Sequence, residues 1–559
     1  ISTAFAVRIY KTYGRDAMRS VRENPYRLSE EIRGIGFSSA DRIAGSLGLS
    51  AHADQRVRAG VLHVLNEARS AGHCFVPARE LEETAAKMLA VPEELVGRQF
   101  ALLTADEKIV IEDDGVFPIA LFQAEKGIAA SLQRLNKSEN LPSPERIGIS
   151  LRQVEKDLSL VFDSGQRQAL QLALSSPLSI ITGGPGTGKS TILRAVILLL
   201  EKQGERYHLA APTGRAAKRM SEATSRGAAT IHRLLEYDPY RHGFKRNEEN
   251  PLETDWLIVD EASMLDAPLA NFLFRALADG GKLILVGDVD QLPPVGPGNV
   301  LQDIIDSGVV PTMKLIRIFR QGQGSLISLN AARIKDGQAL ELLPDFKGEK
   351  DFYYIIRENP DEIEREVMSL CGRLSKKYGF DPFRDIQVLT PMKRGIIGTE
   401  NLNARLRETV NVRGQQLGAK TGGFRKGDKV MQIRNNYDKD VFNGDLGFVE
   451  AWDEEEEKLA VRFDDRLVSY GISETGQLEP AYAITVHKAQ GSEFPCVIVP
   501  LHTVHYPLLQ RNLLYTAITR GKNLVVLVGS KKAVAVTIKN NRVIQRQTML
   551  ARRIADGCL

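Results

Sequence analysis

Cysteine is scarce in this chain: four residues in 559, Cys74, Cys371, Cys496 and Cys558, stand far apart with no Cys-x-x-Cys pair and no companion histidine cluster. That spacing excludes a disulfide scaffold and argues against structural zinc. Long apolar runs are missing as well. The richest, Ala195 to Leu200, falls far short of the roughly 18 residues that span a bilayer, so a soluble, cytoplasmic protein with no membrane partner is expected. Net charge is small, because 74 Lys and Arg against 70 Asp and Glu leave only +4. By itself this balance points to neither nucleic acid nor lipid, and the placement of charge has to decide. No apolar signal core follows Ile1, and the start without Met reads as a trimmed fragment.

What the chain does have is ordinary globular composition, 43% hydrophobic, 26% charged and 6% aromatic, at a length that suits about three or four domains. Residues 1–150 read as helical and charged. Within residues 1–50, the stretch Ile32 to Ala44 sets Gly34 and Gly36 between two helices, with Ser38 and Ser39 placed to cap the second. Such a helix-hairpin-helix can present amides and a helix N-terminus to a DNA phosphate, or can simply be a packing turn. Residues 51–150 alternate helices with a strand pair from Ile109 to Phe117 turned at Asp113-Asp114-Gly115, an order that suits a winged-helix-like module. Asn136 to Pro144 reads as a linker.

Beyond it the pattern becomes α/β. In residues 151–330, strands are expected at Leu178–Thr182, His208–Ala211, Trp256–Val259 and Leu283–Gly287, alternating with helices as in an open parallel sheet. Residues 331–559 repeat the pattern, most clearly at Ile386–Thr390, Cys496–Pro500 and Leu524–Val528. Two tandem sheets of this kind leave a crevice between them. Two insertions interrupt them. Residues 237–255 alternate aromatic and basic side chains around His242-Gly243 and suggest a β-hairpin, and about 424–479 reads as a small β-barrel whose acidic run Asp453–Glu457 is a solvated turn.

The chemistry begins at Gly183-Gly184-Pro185-Gly186-Thr187-Gly188-Lys189-Ser190-Thr191, which follows a strand and opens a helix. It is a phosphate loop: its amides wrap the β-phosphate, Lys189 reaches the β and γ oxygens, and the Ser190 hydroxyl suits Mg²⁺. The apolar strand ending at Asp260-Glu261 supplies the partner carboxylates. Asp260 would hold Mg²⁺ through water, and Glu261 would orient or deprotonate the attacking water. Hydrolysis of a nucleoside triphosphate, ATP with Mg²⁺, follows from these residues.

From Phe162 to Gly529 the order of further segments resembles a superfamily 1 helicase. The resemblance makes the α/β pair two RecA-like domains and the second insertion an SH3-like barrel. Phe162 to Arg167 resembles the adenine-reading segment, with Gln166 on the base. Pro212-Thr213-Gly214-Arg215 and Thr230-Ile231-His232 resemble loops that hold single-stranded DNA. Val286 to Val295 resembles the coupling segment, with Gln291 sensing the γ-phosphate. The segments around Arg320 and Arg520 resemble those that point two arginines at that phosphate. Asp288 to Pro294, Asn435 to Gly447 and Ala483 to Glu493 are more narrowly similar to the RecD family, on a branch that moves 5′→3′ along DNA. The resemblance implies that Pro391, Lys393, Arg394, Asn435, Asn443, Thr485, His487 and Lys488 contact the strand and that Glu493 contacts the nucleotide sugar. The N-terminal region resembles that of the long, stand-alone bacterial RecD form.

From Arg511 onward, ten Lys and Arg face the single acid Asp556, a bias that suits a phosphate-tracking surface or a solubilising tail. The expectation is therefore a monomeric ATP-driven 5′→3′ helicase acting on single-stranded and fork or tailed duplex DNA in repair or recombination. An RNA-directed relative and a non-enzymatic scaffold in a recombination complex are the rivals. Step size, processivity, protein partners and the adenine-stacking aromatic are not legible.

Overall fold

The computed structural model describes residues 3–32, 34–137, 141, 144–238, 241, 243–317, 325–342, 350–418, 421–541 and 545–557. Among them, no helix is long and apolar enough to cross a membrane.

Two parallel sheets carry the molecule. The first has six strands in the spatial order Thr312–Leu315, Leu178–Gly183, Lys282–Gly287, Trp256–Val259, Tyr207–Ala211 and Ala228–Thr230. Its inner strands at Leu178, Trp256 and Lys282 are buried along their whole length, as a parallel sheet covered by helices on both faces requires. Four of the helices around it start cleanly because the sequence supplies a side-chain acceptor at their entry. Asp163, Thr213, Thr230 and Asp266 each accept a backbone N–H three residues on. The second sheet runs Phe352–Ile356, Gly521–Gly529, Phe494–Leu501, Ile386–Thr390 and Ala483–Thr485, again parallel throughout.

Between strands of the second sheet the chain leaves to form a five-stranded antiparallel SH3-like unit, ordered Arg466–Gly471, Lys458–Phe463, Leu446–Asp453, Lys429–Gln432 and Leu478–Pro480. It has its own core, including Val430, Val449, Val461 and Tyr470. The acidic run lies on the exposed turn between two of its strands. In the first domain's insertion, Tyr237 pairs with Phe244 and Asp238 with Gly243 in a short antiparallel hairpin; Pro239, Tyr240 and His242 lie outside the described residues.

The N-terminal 118 residues form two small cores. Helices Thr3–Tyr13, Ala17–Glu23, Arg27–Glu31 and Phe37–Ser46 gather around Ile9, Leu28, Ile32 and Ile35. The expected serine caps are absent. Gly36 is the cap residue, without a side-chain hydrogen bond, and Ser38 and Ser39 fall inside the first turn, because the helix already begins at Phe37. The next core joins helices Asp54–Ser70, Ala78–Leu89 and Glu93–Ala105 to a three-stranded antiparallel sheet. Ile109–Glu112 and Gly115–Pro118 form its wing, turned at Asp113 and Asp114, with Asp113 at φ +52°.

The end of the chain straps these parts together. After the second sheet, residues 545–557 return to the first domain. The Arg546 guanidinium donates to the carbonyls of Pro294, Gly296 and Gly298, and Cys74 N–H donates to Gln547 O at 2.8 Å. Helix Leu550–Asp556 buries Leu550 and Ile554 against helix Ile119–Leu135. Arg553 pairs there with the fully buried Glu125 at 3.2 Å, and also with Glu112. Burial pushes the Glu125 carboxyl up, and Arg553 opposes it. Arg553→Met leaves that carboxylate without its cation, a change that typically costs about 3–5 kcal/mol. The first unfolding transition in urea should fall accordingly, and the double variant Glu125→Met/Arg553→Met should recover part of the loss. An unchanged midpoint in the single variant would show that the strap adds no stability.

Candidate nucleotide and strand site

Strand Leu178–Gly183 delivers the phosphate loop, and helix Lys189–Gln203 leaves it. Gly186 and Gly188 have φ of +74° and +89°, left-handed positions that turn successive amides toward one point and that glycine alone takes without strain. Lys189 Nζ donates to the carbonyls of Gly183 and Gly184, and Thr187 Oγ1 to Gly184 O at 2.8 Å. Ser190 and Thr191, partly accessible, open the helix beside it, where an anion meets free N–H groups and the positive end of the helix dipole.

Three further groups converge on this loop from the sheet's carboxyl edge. Asp260 follows strand Trp256–Val259, and its carboxylate accepts the Glu261 N–H at 2.8 Å. Burial and the neighbouring Glu261 carboxylate push Asp260 up, while Arg219 and Lys189 pull it down. Glu261 itself takes φ +51°, an uncommon conformation for a residue with a side chain. Gln291 Nε2 donates to Asp288 Oδ2 at 3.2 Å, while its Oε1 is buried with no partner. An orphaned acceptor there is costly unless a ligand or water satisfies it. Together with the amide nest, the lysine, the Asp260 carboxylate and the Ser190 hydroxyl, this donor set fits a nucleoside triphosphate with a divalent cation.

The second sheet closes the site. Tyr515, on helix Arg511–Thr519, donates to Asp288 Oδ2 at 2.9 Å, and a Cβ on Gly184 would come within 2.9 Å of the Tyr515 hydroxyl. Leu292 N–H donates to Thr516 Oγ1 at 2.9 Å, and Gln490 Nε2 donates to Leu292 O at 2.9 Å. Arg520 is 2% exposed and meets only main-chain and hydroxyl oxygens, Ser492 O and Thr516 O at 3.3 Å and Thr519 Oγ1 at 3.4 Å. No carboxylate pairs with it among the described residues. Arg320 lies outside the described residues. Gln166 is buried in a capping box in which its carboxamide oxygen accepts Asp163 N–H at 3.1 Å, so its amide nitrogen is the group left to read a base. Glu493, expected on the nucleotide sugar, instead pairs with Arg219 at 3.4 Å and Lys522 at 3.9 Å.

The expected strand contacts fall into separate patches. Thr213 caps helix Gly214–Thr224, with Pro212 just before it. Gly214 and Arg215 line a cavity of about 730 Å³ facing Phe442, Arg462 and Arg466 of the SH3-like unit. Lys393, Thr485 and Lys488 share a smaller cleft, where Lys488 is paired with Glu479 at 2.8 Å. Arg394 is exposed beside Lys393, whereas Pro391 is buried. Asn435 and Asn443 brace each other, the Asn443 N–H donating to Asn435 Oδ1 at 2.9 Å. His232 packs between Tyr237 and Phe244 of the hairpin, and burial lowers its pKa. His487 is lowered by burial and by the nearby Arg546.

The basic C-terminal stretch is not a free phosphate-tracking surface. Arg511 donates to Ile538 O, and Lys522, Arg546, Arg552 and Arg553 likewise meet internal partners. Much of that charge serves docking onto carboxylates and carbonyls elsewhere in the chain. Two positions at the seam are not marked by any motif: Tyr515 lies five residues before Arg520 on the same segment, and Arg219 one helical turn beyond Arg215.

Comparison with known proteins matches this architecture part by part. Residues 1–75 match the family described as the ATP-dependent RecD2 DNA helicase HHH domain, and 166–297 match an AAA domain. Residues 402–463 match the ATP-dependent RecD-like DNA helicase SH3 domain, and 480–528 the UvrD-like helicase C-terminal domain. An ATP-dependent RecD2 DNA helicase from Deinococcus radiodurans is 33% identical over 566 residues, covering 98% of this chain and 75% of the relative. A RecBCD enzyme subunit RecD from Mycobacterium tuberculosis is 29% identical over 585 residues, covering 95% of this chain and 94% of its own. Among solved structures, a Pif1 helicase from Bacteroides in complex with ADP-AlF3 and ssDNA aligns over 66% of this chain and 92% of its own, at 20% identity and a TM-score of 0.41. With a phosphate loop closed by a second parallel sheet, an SH3-like insert, and 98% of its own length aligned to a RecD2 relative, the chain belongs to the RecD2 family of ATP-dependent DNA helicases.

Proposed function

We propose that this helicase translocates 5′→3′ on single-stranded DNA and opens tailed or forked duplex, as a cytoplasmic monomer in repair or recombination. The observation that carries the reading is the seam at the phosphate loop, where Tyr515 of the second domain reaches Gly184 and Asp288 of the first while the buried Arg520 keeps no acidic partner among the described residues. A site completed by two bodies converts nucleotide binding into their relative movement.

Each residue then has a part. Lys189 exchanges the loop carbonyls for the β and γ oxygens of ATP, and the amides of Gly184 to Thr191 hold the phosphates. Ser190 and Asp260 would hold Mg²⁺, which neutralises charge developing on those oxygens. Glu261 activates the attacking water, and Gln291 senses the γ-phosphate, its orphaned oxygen accepting a hydrogen bond from that water. Arg520, with Arg320, stabilises the γ-phosphate as its bond breaks. Gln166 donates to adenine, and Glu493 reaches the sugar once freed of Arg219. The strand lies along Pro212 to Arg215, His232, Lys393, Arg394, Asn435, Asn443 and Thr485 to Lys488, with the 237–255 hairpin near the fork. The direction rests on the resemblance to the RecD branch.

Arg520→Ala should retain nucleotide binding with KM near wild type and lose ~10³-fold or more in kcat, as expected of an arginine that meets charge only in the transition state. A raised KM with kcat intact would contradict this. Lys189→Ala should abolish turnover yet keep affinity for single-stranded DNA. Direction is tested by strand displacement on duplexes carrying a 5′ or a 3′ tail. Unwinding of the 5′-tailed substrate alone is expected, and preference for the 3′ tail would overturn the proposed polarity.

A further inference from the structure

Helix Gly214–Thr224 begins at the strand loop and docks its basic face on the second domain. Arg215 Nη1 donates to Ser492 Oγ at 2.9 Å, and its guanidinium lies 5.7 Å from the centre of the Phe494 ring. One turn on, and therefore on the same face, Arg219 forks between two acids. Its Nη1 is 3.4 Å from Glu261 Oε1 and its Nη2 3.4 Å from Glu493 Oε1. Burial pulls the Arg219 pKa down, but Glu493, Glu261 and Asp260 together raise it, so the guanidinium stays charged.

The helix has little freedom against segment 491–494. Gly491 has φ +72°, and a Cβ there would lie 3.0 Å from Thr213 Oγ1 and 3.2 Å from Ala216 Cβ. Only glycine allows that approach, so a shift of the loop at Thr213 is carried into the rows of contacts at Arg215 and Arg219. The two Arg219 contacts are already long for charge-assisted hydrogen bonds, which favour about 2.7–2.9 Å. A displacement of a fraction of an ångström breaks them. At the other end, Glu261 occupies a left-handed backbone conformation, held only while its surroundings enforce it.

We propose that Arg219 is a positioning residue that restrains Glu261 when the strand loop is empty and releases it when DNA draws on the helix. This rests on the reading of Glu261 as the group that activates water. In the restrained state the carboxylate oxygen is held against a guanidinium and turned from the water. The same cation holds Glu493 across the seam, so one side chain reports strand occupancy to both domains.

The test compares ATP turnover of wild type, Arg219→Ala and Arg219→Lys, with and without saturating oligo(dT), reading kcat and KM separately. Arg219→Ala should raise the DNA-free kcat and so reduce the ratio of DNA-saturated to DNA-free kcat by at least ~5-fold, the low end of ordinary coupling between sites. Arg219→Lys should be intermediate, because an ammonium cannot fork between two carboxylates as a guanidinium does. An unchanged ratio, or a ratio that falls only because the DNA-saturated rate drops, overturns the proposal. Glu261→Gln separates the two readings. Its turnover should be lost in both conditions, and a Gln variant that still hydrolyses ATP would remove the base assignment itself, whatever Arg219 does.

Discussion

Everything in this molecule depends on the seam where Tyr515 meets Gly184 and Asp288. A phosphate loop on a single parallel sheet binds nucleotide at the carboxyl edge of its strands, and that edge is open to water. Here a second sheet covers it, with Leu292 buried among the second domain's apolar side chains and, over the phosphate loop itself, polar contacts: a tyrosine hydroxyl, the Thr516 hydroxyl on Leu292 N–H, and Gln490 on Leu292 O. Such contacts exchange readily with water or with a ligand's oxygens, so the seam is suited to open and close. An apolar seam of the same area would be a permanent interface.

The strap at residues 545–557 supplies the opposite quality. Arg546 fills three carbonyl acceptors at Pro294, Gly296 and Gly298, at the end of the coupling segment that carries Gln291 and just beyond it, and Arg553 neutralises a buried glutamate. Removing either cation would leave buried oxygens unsatisfied, which is expensive. The second domain is thus joined to the first at two kinds of boundary, an exchangeable one over the nucleotide and a durable one through the C-terminal tail. Relative movement is confined accordingly.

Legibility in the sequence followed burial. The strands read from pattern alone, at Leu178, His208, Trp256 and Leu283 in one domain and at Ile386, Cys496 and Leu524 in the other, are all inner strands of their sheets. Those not read as strands, Ala228–Thr230, Thr312–Leu315, Phe352–Ile356 and Ala483–Thr485, are the four edges. An edge strand is short and covered on fewer sides, so it lacks the continuous apolar run that marks a central one. The phosphate loop was legible because its chemistry is local, with glycines, lysine and hydroxyl in consecutive positions. Arg219 was not, because its partners Glu261 and Glu493 lie far along the chain and meet it only through two docked sheets. The basic tail misled for the converse reason. Composition records the charge but not which carboxylates face it once the chain has folded.

Nucleotide at this shared site should govern the spacing of the two sheets. Spin labels on cysteines introduced at the exposed Glu253 and Lys376, one in each domain, measure it by pulsed dipolar spectroscopy. The distance distribution should shift between the nucleotide-free protein and the complex with a non-hydrolysable ATP analogue, and the shift should be lost in the Lys189→Ala background. A single distribution, the same in every nucleotide state, would contradict the account.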